Sequence, residues 1–231
     1  MKAPRVIVAL LPLKAHSDRI PGKNFRDFQG KPLFRWMLDT LLSVPEISKV
    51  VLNTDARAIL AGHGLKESER VMIRDRRPEI CGDHTSMNLV IADDVRGVAA
   101  DLYLMTHVTN PLLSAPTISA ALRAYLEAAE RGSCDSLFSV TKHQKRFYTK
   151  DGRPVNHDPR RLIRTQDLEP WYEENSNLYI FTRDSFAATQ ARIGQAPLLF
   201  ETPGLESIDL DEQAEWDLAE LILKGRAARP S

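Results

Sequence analysis

Two polar segments far apart in the chain carry the residue types that phosphate chemistry uses. The first, at residues 11–24, follows an apolar run at residues 6–10 and contains the cations Lys14 and Lys23. After a buried parallel strand, loop amides and cations of this kind can meet phosphate oxygens. Only Gly22 lies inside the loop, whereas phosphate-binding loops usually contain several glycines. The segment therefore predicts a phosphate site that is short of glycine.

The second segment, Ser-Ile-Asp-Leu-Asp at residues 207–211, carries two carboxylates. If residues 207–210 form a short strand, Asp209 and Asp211 point to the same face. Two close carboxylates repel each other unless a cation or a proton lies between them, and Mg²⁺ is usually held by one or two carboxylates plus substrate phosphates and water. The alternative is that Asp211 only caps the last helix. Because Asp209 lies two residues earlier on the expected ligand edge, we predict a magnesium site.

Basic side chains near that edge are natural partners for a polyphosphate. Lysine binds phosphate as a point charge, and arginine binds it through two N–H groups. We expect Lys23 and Arg77 to serve this purpose, because they lie in loops shaped by glycine and proline. Arg74 and Arg76 are predicted to be solvated loop charges instead.

No covalent nucleophile is indicated. Cys81 and Cys134 have no adjacent base, and no serine lies in a G-x-S-x-G turn. Phosphate chemistry would then depend on positioning and on neutralising charge with metal and cations. This favours direct transfer of a nucleotidyl group.

Composition restricts the partners and the compartment. The 231 residues include 31 basic and 31 acidic side chains, so a net charge of zero argues against nucleic acid or a membrane surface as the main partner. No run of about 18 apolar residues exists to span a bilayer. Two isolated cysteines argue against a disulfide framework, and we expect a cytoplasmic protein.

Short apolar runs alternate with amphipathic segments along the chain. Strands that alternate with helices of about 10–15 residues predict an α/β fold, a mostly parallel sheet flanked by helices. We therefore expect one Rossmann-like domain at residues 1–225 and a flexible tail at 226–231. Residues 141–175 are polar, basic and rich in proline, which predicts an irregular arm that is partly a hairpin. The last helix is expected to bury Leu218 and Leu221.

A series of motifs occurs in order along most of the chain. They are Ile20-Pro21-Gly22-Lys23-Asn24, Gly30-Lys31-Pro32-Leu33, Asn53-Thr54-Asp55, Arg77-Pro78-Glu79, Thr109-Asn110-Pro111-Leu112, Asp135 to Thr141, Gln166-Asp167-Leu168 and Ser207 to Asp211. Each is weak alone, but together and in register from residue 5 to about residue 223 they are specific. On these residues the chain resembles the acylneuraminate cytidylyltransferases, or CMP-sialic acid synthetases.

The resemblance implies a nucleotide-diphospho-sugar transferase fold and a defined reaction. CTP and a free 2-keto-3-deoxy sugar acid would give a CMP-sugar and pyrophosphate, with Mg²⁺ as cofactor. It also implies a homodimer in which the arm at residues 141–175 reaches the partner's site, and so serves as a dimerisation arm.

The resemblance also assigns site residues by position. Lys14, Ser17 and Lys23 would contact the CTP phosphates, Asn24, Arg77 and Ser86 the cytidine, Asp209 and Asp211 the metal, and Lys142, Gln166, Asn175 and Tyr179 the sugar acid, with His107 replacing a glutamine used toward the sugar. Lys23, Asp209 and Asp211 would be the catalytic residues.

The chain departs from the family pattern in its first loop and around the sugar acid. Residues 14–18 read Lys-Ala-His-Ser-Asp where the family has Arg-Gly-Gly-Ser-Lys, so Asp18 replaces a cation. Thr165 stands where an arginine would face the sugar carboxylate, with Arg164 one residue away. These differences predict an altered hold on the triphosphate and an acceptor other than sialic acid itself. The alternatives are another sugar nucleotidyltransferase, or a diverged nucleotide-binding protein without turnover.

Overall fold

A seven-stranded sheet organises the computed structural model, which describes residues 5–17, 19–82 and 84–227. The strands are β1 Ile7–Leu10, β2 Asp27–Phe28, β3 Lys31–Pro32, β4 Lys49–Thr54, β5 Val71–Asp75, β6 Leu102–Thr106, β7 Ser136–His143, β8 Trp171–Phe181 and β9 Pro197–Glu201. The helices are α1 Leu33–Ser43, α2 Arg57–Gly62, α3 Met87–Gly97, α4 Ala115–Glu130, α5 Arg183–Thr189 and α6 Gln213–Ala227.

The sheet order is β5-β4-β1-β6-β8-β7-β9, and β8 runs antiparallel to both of its neighbours. The other pairings within this sheet are parallel. β2 and β3 form a separate two-stranded sheet between β1 and α1. The predicted mostly parallel α/β fold is confirmed. None of the helices in the described ranges is long and apolar enough to cross a bilayer.

The central strand β1 explains why helices cover both faces. Its side chains are all buried, and they alternate between two apolar clusters. Ile7 and Ala9 pack with α1, α2 and α4, whereas Val8 and Leu10 pack with α3 and α5. A strand buried on both faces needs a continuous apolar sequence, which is what residues 6–10 provide.

A third apolar cluster fixes the two polar segments relative to each other. It contains Ile20 from the first segment, Phe28 from β2 and Leu33 from α1, which pack with Leu210 and Trp216. The rings of Phe28 and Trp216 meet edge to face, with centroids 5.0 Å apart. This packing brings residues 20–33 and 208–223 together although they are far apart in sequence.

The predicted strand at residues 207–210 is wrong. This segment forms no strand, and local hydrogen bonds replace a ladder: the Ser207 hydroxyl donates to the Pro203 carbonyl, and the Asp211 N–H donates to the Asp209 carbonyl. Side chains and turns of this kind compete with strand pairing. One bond, from the Leu210 N–H to the Thr109 carbonyl at 2.9 Å, still fastens the segment to the loop after β6.

The buried face of α6 also differs from the prediction. Trp216 and Ala219 are buried, whereas Leu218 and Leu221 are exposed. The helix must turn its largest ring toward Phe28, and this places Leu218 and Leu221 on the solvent side. α6 continues to Ala227 and so includes the first two residues of the predicted tail at residues 226–231.

The predicted hairpin character of residues 141–175 is confirmed at its base. β7 and β8 continue as a paired ribbon, with His143 opposite Trp171, and a bridge joins Tyr148 to Pro154 farther out. Leu162 and Trp171 expose 72% and 43% of their surfaces. An apolar exposed ribbon is a feature of surfaces that bind other chains.

Candidate active site

A cavity of about 320 Å³ lies outside the carboxyl ends of β1 and β6. We call it the first cavity. Its lining includes Lys14, Ser17, Arg19, Lys23, Asn24, Arg76, Met87, His107, Thr109 and Asp211. Ligands of open α/β sheets bind at this edge, where strand ends and loops converge. Asp18 lies outside the described residues, so its predicted effect stays a prediction.

The first loop is held from both sides. Its Ala15 N–H donates to Asp55 Oδ1 at 2.7 Å, and Asn24 Nδ2 donates to the Lys14 carbonyl at 2.9 Å. Gly22 has a φ of +64°, a left-handed conformation that glycine adopts without strain, and it begins the short 3₁₀ helix Lys23–Phe25. The chain therefore uses its one loop glycine to place Lys23, and hydrogen bonds to hold the rest.

Lys23 lies at the junction of the two polar segments. The residue is 7% exposed, and its ammonium group donates to the Leu210 carbonyl and to Asp211 Oδ1, the latter at 3.2 Å. The other carboxylate oxygen of Asp211 lies 3.0 Å from Arg19 Nη1. Two cations thus neutralise Asp211 at the wall of the first cavity, and the ammonium of Lys23 is held where anionic ligand oxygens would enter.

Asp209 and Asp211 face different cavities, whereas the predicted strand would have placed both carboxylates on the same face. Asp211 lines the first cavity, whereas Asp209 lines a second one of about 340 Å³, together with Glu174, Asn175 and Glu215. Burial raises the pKa of Asp209, and the negative charges of Asp211 and Glu215 raise it further. A hydrogen bond from Thr109 and the positive charge of Lys23 oppose this rise.

Asp209 offers an oxygen that suits a divalent cation. Asp209 Oδ1 is buried and has no hydrogen-bonding partner, which is costly for a carboxylate unless a cation or a proton is bound. Over the described ranges, no group of three or more His, Cys, Asp or Glu side chains could hold a metal by itself. The donor set fits Mg²⁺ that takes one or two carboxylates and completes its shell with ligand and water oxygens.

The arginines of the loop after β5 are arranged differently from the prediction. Arg76 lines the first cavity and donates to Asn53 Oδ1 at 3.0 Å and to the Leu13 carbonyl at 3.2 Å. Among the described residues no carboxylate lies within ion-pair distance of its guanidinium. Arg77, by contrast, lies outside the cavity lining and binds Asp93 at 2.9 Å.

Arg74 is not a solvated charge, so that prediction is wrong. Its guanidinium lies 2.8 Å from Asp93 and 2.9 Å from Asp94 on α3. Burial raises the pKa of Asp94 to about 6, and hydrogen bonds from Asn53 and Arg74 oppose that rise. This buried network ties β4, β5 and α3 together beneath Arg76.

The remaining predicted ligands are spread over the site and the arm. Ser86 precedes α3, next to Met87 of the first cavity. Asn175 lines the second cavity, but its amide is already bonded to Ser139 at 2.7 Å and to Thr202 at 2.7 Å, among others. Lys142 and Gln166 are exposed on the arm and line neither cavity.

Tyr179 is fully buried, and its hydroxyl binds Glu174. Burial raises its pKa well above the ordinary value, so the phenol stays protonated. A residue that the sequence analysis missed, Arg192, stacks on its ring at 3.7 Å and contacts His107. Arg192 belongs to no motif and lies 85 positions from His107 in sequence, so no pattern predicts the contact.

Sheet order, cavity position and convergent cations are typical of nucleotide-binding α/β proteins, and the comparisons specify the family. The cytidylyltransferase family model matches residues 8–210. The chain therefore belongs to the cytidylyltransferase family.

Curated relatives cover nearly the whole chain. N-acylneuraminate cytidylyltransferase from Oncorhynchus mykiss is 27% identical over 94% of this chain and 50% of its own length. Pseudaminic acid cytidylyltransferase from Campylobacter jejuni is 22% identical over 94% of this chain and 96% of its own. CMP-N,N'-diacetyllegionaminic acid synthase from Legionella pneumophila is 27% identical with the same coverages. The chain thus spans about half of the Oncorhynchus protein and almost all of the two bacterial ones.

Solved structures share the fold. CMP:2-keto-3-deoxy-manno-octonic acid synthetase complexed with CTP has a TM-score of 0.65 at 15% identity, covering 96% of this chain and 99% of its own. 4-Diphosphocytidyl-2C-methyl-D-erythritol synthase from Anaerococcus prevotii has a TM-score of 0.67 at 13% identity, covering 96% and 97%. At these identities the likeness establishes the architecture.

Proposed function

We propose that this protein transfers the cytidylyl group of CTP to the hydroxyl of a sialic-acid-like 2-keto-3-deoxy sugar acid and releases pyrophosphate. The first cavity carries this proposal, because Lys23 and Arg76 present cationic groups there at the edge of the sheet where nucleotides bind. Relatives of matching length are named for pseudaminic and legionaminic acid, which supports a nonulosonate acceptor.

In this reaction the sugar hydroxyl attacks the α-phosphorus of CTP in line. The bond between phosphorus and the sugar oxygen forms, the bond from phosphorus to the bridging oxygen breaks, pyrophosphate leaves, and the proton of the hydroxyl passes to solvent water. Lys23 is fixed by the Leu210 carbonyl and Asp211, so it can stabilise phosphate charge without reorganising. Arg76 and Lys14 would hold the triphosphate in the same cavity.

We further propose that Mg²⁺ assists the transfer. Asp209 and Asp211 are the proposed ligands: Asp209 would hold the ion, and Asp211, which now binds Lys23 and Arg19, would have to turn from those cations to join it. When bound, the ion would neutralise charge on the phosphates. The unpartnered, buried Oδ1 of Asp209 supports this assignment.

Assembly and compartment are part of the proposal. We propose a homodimer that forms through the arm, supported by the exposed apolar side chains of Tyr148, Leu162 and Trp171. Light scattering after gel filtration would show the mass of two chains, and a stable monomer would contradict the dimer. The free thiols of Cys81 and Cys134 suit a cytoplasmic location.

Pyrophosphate release from CTP is the direct assay. Acceptors should include sialic, pseudaminic and legionaminic acids and 3-deoxy-manno-octulosonate, each with CTP, UTP and ATP. We expect release only with CTP and a nonulosonate. Release with 3-deoxy-manno-octulosonate alone would change the acceptor class. Tight CTP binding without product from any acceptor would favour a nucleotide-binding protein without turnover.

A further inference from the structure

Arg192, on the loop after α5, lies beside the wall of the first cavity and has no part in the proposed transfer. Its side chain is 19% exposed. Nη1 lies 3.3 Å from His107 Nε2, and Nη2 lies 3.3 Å from Glu174 Oε1. The guanidinium carbon lies 3.7 Å from the centre of the Tyr179 ring. Arg192 thus links His107 in the first cavity with Glu174 in the second.

The loop that carries Arg192 is firmly tied to the start of β7. The Asp135 carboxylate accepts the Gln195 N–H at 2.7 Å, and the Ser136 hydroxyl accepts the Gly194 N–H at 2.8 Å. A Cβ at Gly194 would lie 2.3 Å from Asp135 Oδ1, so glycine is what allows this close approach. The guanidinium is consequently held in place before any ligand binds.

The chemistry of the contact determines the state of the histidine. An arginine side chain has only donors, so His107 Nε2 must accept the hydrogen bond. An imidazole that accepts at Nε2 is neutral and carries its proton on Nδ1. We infer that Arg192 is a positioning residue that fixes His107 as the neutral Nδ1–H tautomer, so that the ring offers an uncharged hydrogen-bond donor to a ligand oxygen in the first cavity.

Burial and charge agree with this geometry. Burial lowers the pKa of His107 to about 4; the charges of Arg192 and Lys23 act in the same direction, and Asp211 opposes them. The ring is therefore neutral at pH 7. A fixed donor discriminates between ligands, because it rewards an oxygen acceptor and leaves a buried N–H unpaired when the acceptor is missing. Only the identity of that ligand as the sugar acid or CTP rests on the proposed function.

The test is the tautomer itself, read from long-range ¹H–¹⁵N spectra of protein labelled at histidine. At pH 7 the His107 signals should show a protonated Nδ1 and an unprotonated Nε2. Arg192→Met should shift the ring toward Nε2–H, whereas Arg192→Lys, which keeps a donor, should retain Nδ1–H. Arg183→Met is the matched control, because Arg183 lies on α5 and contacts Val98 and Tyr103 instead.

Either of two results would overturn the inference: wild-type His107 protonated on Nε2, or an unchanged tautomer in Arg192→Met. Pyrophosphate release by folded Arg192→Met should fall about tenfold, the value of roughly one hydrogen bond, and recover in part in Arg192→Lys. A shifted tautomer in a protein that turns over no acceptor would uphold the inference and reject the proposed function. If Arg192→Met does not fold, the wild-type spectrum still decides the inference, because His107 protonated on Nε2 would overturn it.

Discussion

At the scale of single residues, the site depends on side chains that have little freedom to move. Lys23 is buried and bonded to a carbonyl and a carboxylate, and Arg76 is bonded to Asn53 and to a backbone carbonyl. Preorganised cations stabilise developing charge more effectively than mobile ones, because they need not reorient during the reaction. The glycine-poor loop is therefore compatible with a rigid phosphate site.

Lys23→Met should lower turnover by about 10²–10³-fold, because it removes a fixed charge from the cavity and keeps most of the apolar stem. Turnover is measured as pyrophosphate release at saturating CTP. Lys150→Met, on the exposed turn of the arm, is the control and should behave like the wild type. Equal activity in both variants would remove Lys23 from the catalytic assignment.

His107 predicts a pH dependence of stability. Its folded pKa of about 4 lies below the ordinary value of 6.5, so between these values only the unfolded chain binds the proton. The contribution of the neutral His107 ring to the free energy of unfolding is fully present above pH 6.5. It is lost as the pH falls toward 4, in total roughly 3 kcal/mol by linkage. Urea unfolding at several pH values should show that His107→Gln loses less stability on acidification than the wild type. Parallel curves would contradict the low pKa.

The residue scale also shows where sequence reasoning stops. Lys23 was predicted from its motif, and its place in the cavity follows from Gly22. We predicted that Arg77 would contact the ligand and that Arg76 would not, but Arg76 lines the cavity and Arg77 does not. Arg77 binds Asp93 instead, and Asp93 belongs to α3. A tertiary partner decides which of two adjacent arginines faces the ligand, and neither periodicity nor spacing contains that partner.

At the scale of elements, the parallel strands and the helices around them could be predicted because apolar runs and helical spacing are local signals. The segment at residues 207–211 could not, since the Leu210 N–H bonds to the Thr109 carbonyl and the Ser207 hydroxyl bonds to Thr202 and Pro203. The prediction of which face of α6 is buried was wrong for a similar reason: Trp216 turns inward because it packs against the ring of Phe28.

Asn175 of β8 holds three elements together, because its side-chain amide bonds to β7 and to the segment after β9. Asn175→Ala removes bonds to Ser139, Thr141 and Thr202 and leaves buried hydroxyls unpaired. The free energy of unfolding in urea should fall by about 2–3 kcal/mol. Asn156→Ala, the same change within the arm, should cost clearly less; equal losses would show that Asn175 has no special structural role.

At the scale of the whole molecule, the acidic segment at residues 207–211 lines both cavities, and a metal at Asp209 would connect ligand binding to that segment. CTP should raise the melting temperature, and Mg²⁺ should add to the rise, because ligands that bind the folded state stabilise it. Asp209→Asn should abolish the added effect of Mg²⁺. Asp217→Asn, on the solvent side of α6, should retain it; if Asp209→Asn retains it too, the metal site lies elsewhere.

Transfer of the cytidylyl group to a sugar acid can be followed by ³¹P NMR of one reaction mixture. With CTP, Mg²⁺ and a nonulosonic acid, we expect the three CTP resonances to be replaced by one phosphodiester signal and one pyrophosphate signal. The change should require the acceptor and be lost in Lys23→Met. CTP resonances that persist with every acceptor, or pyrophosphate that appears without an acceptor and with free CMP, would rule out cytidylyl transfer to a sugar acid.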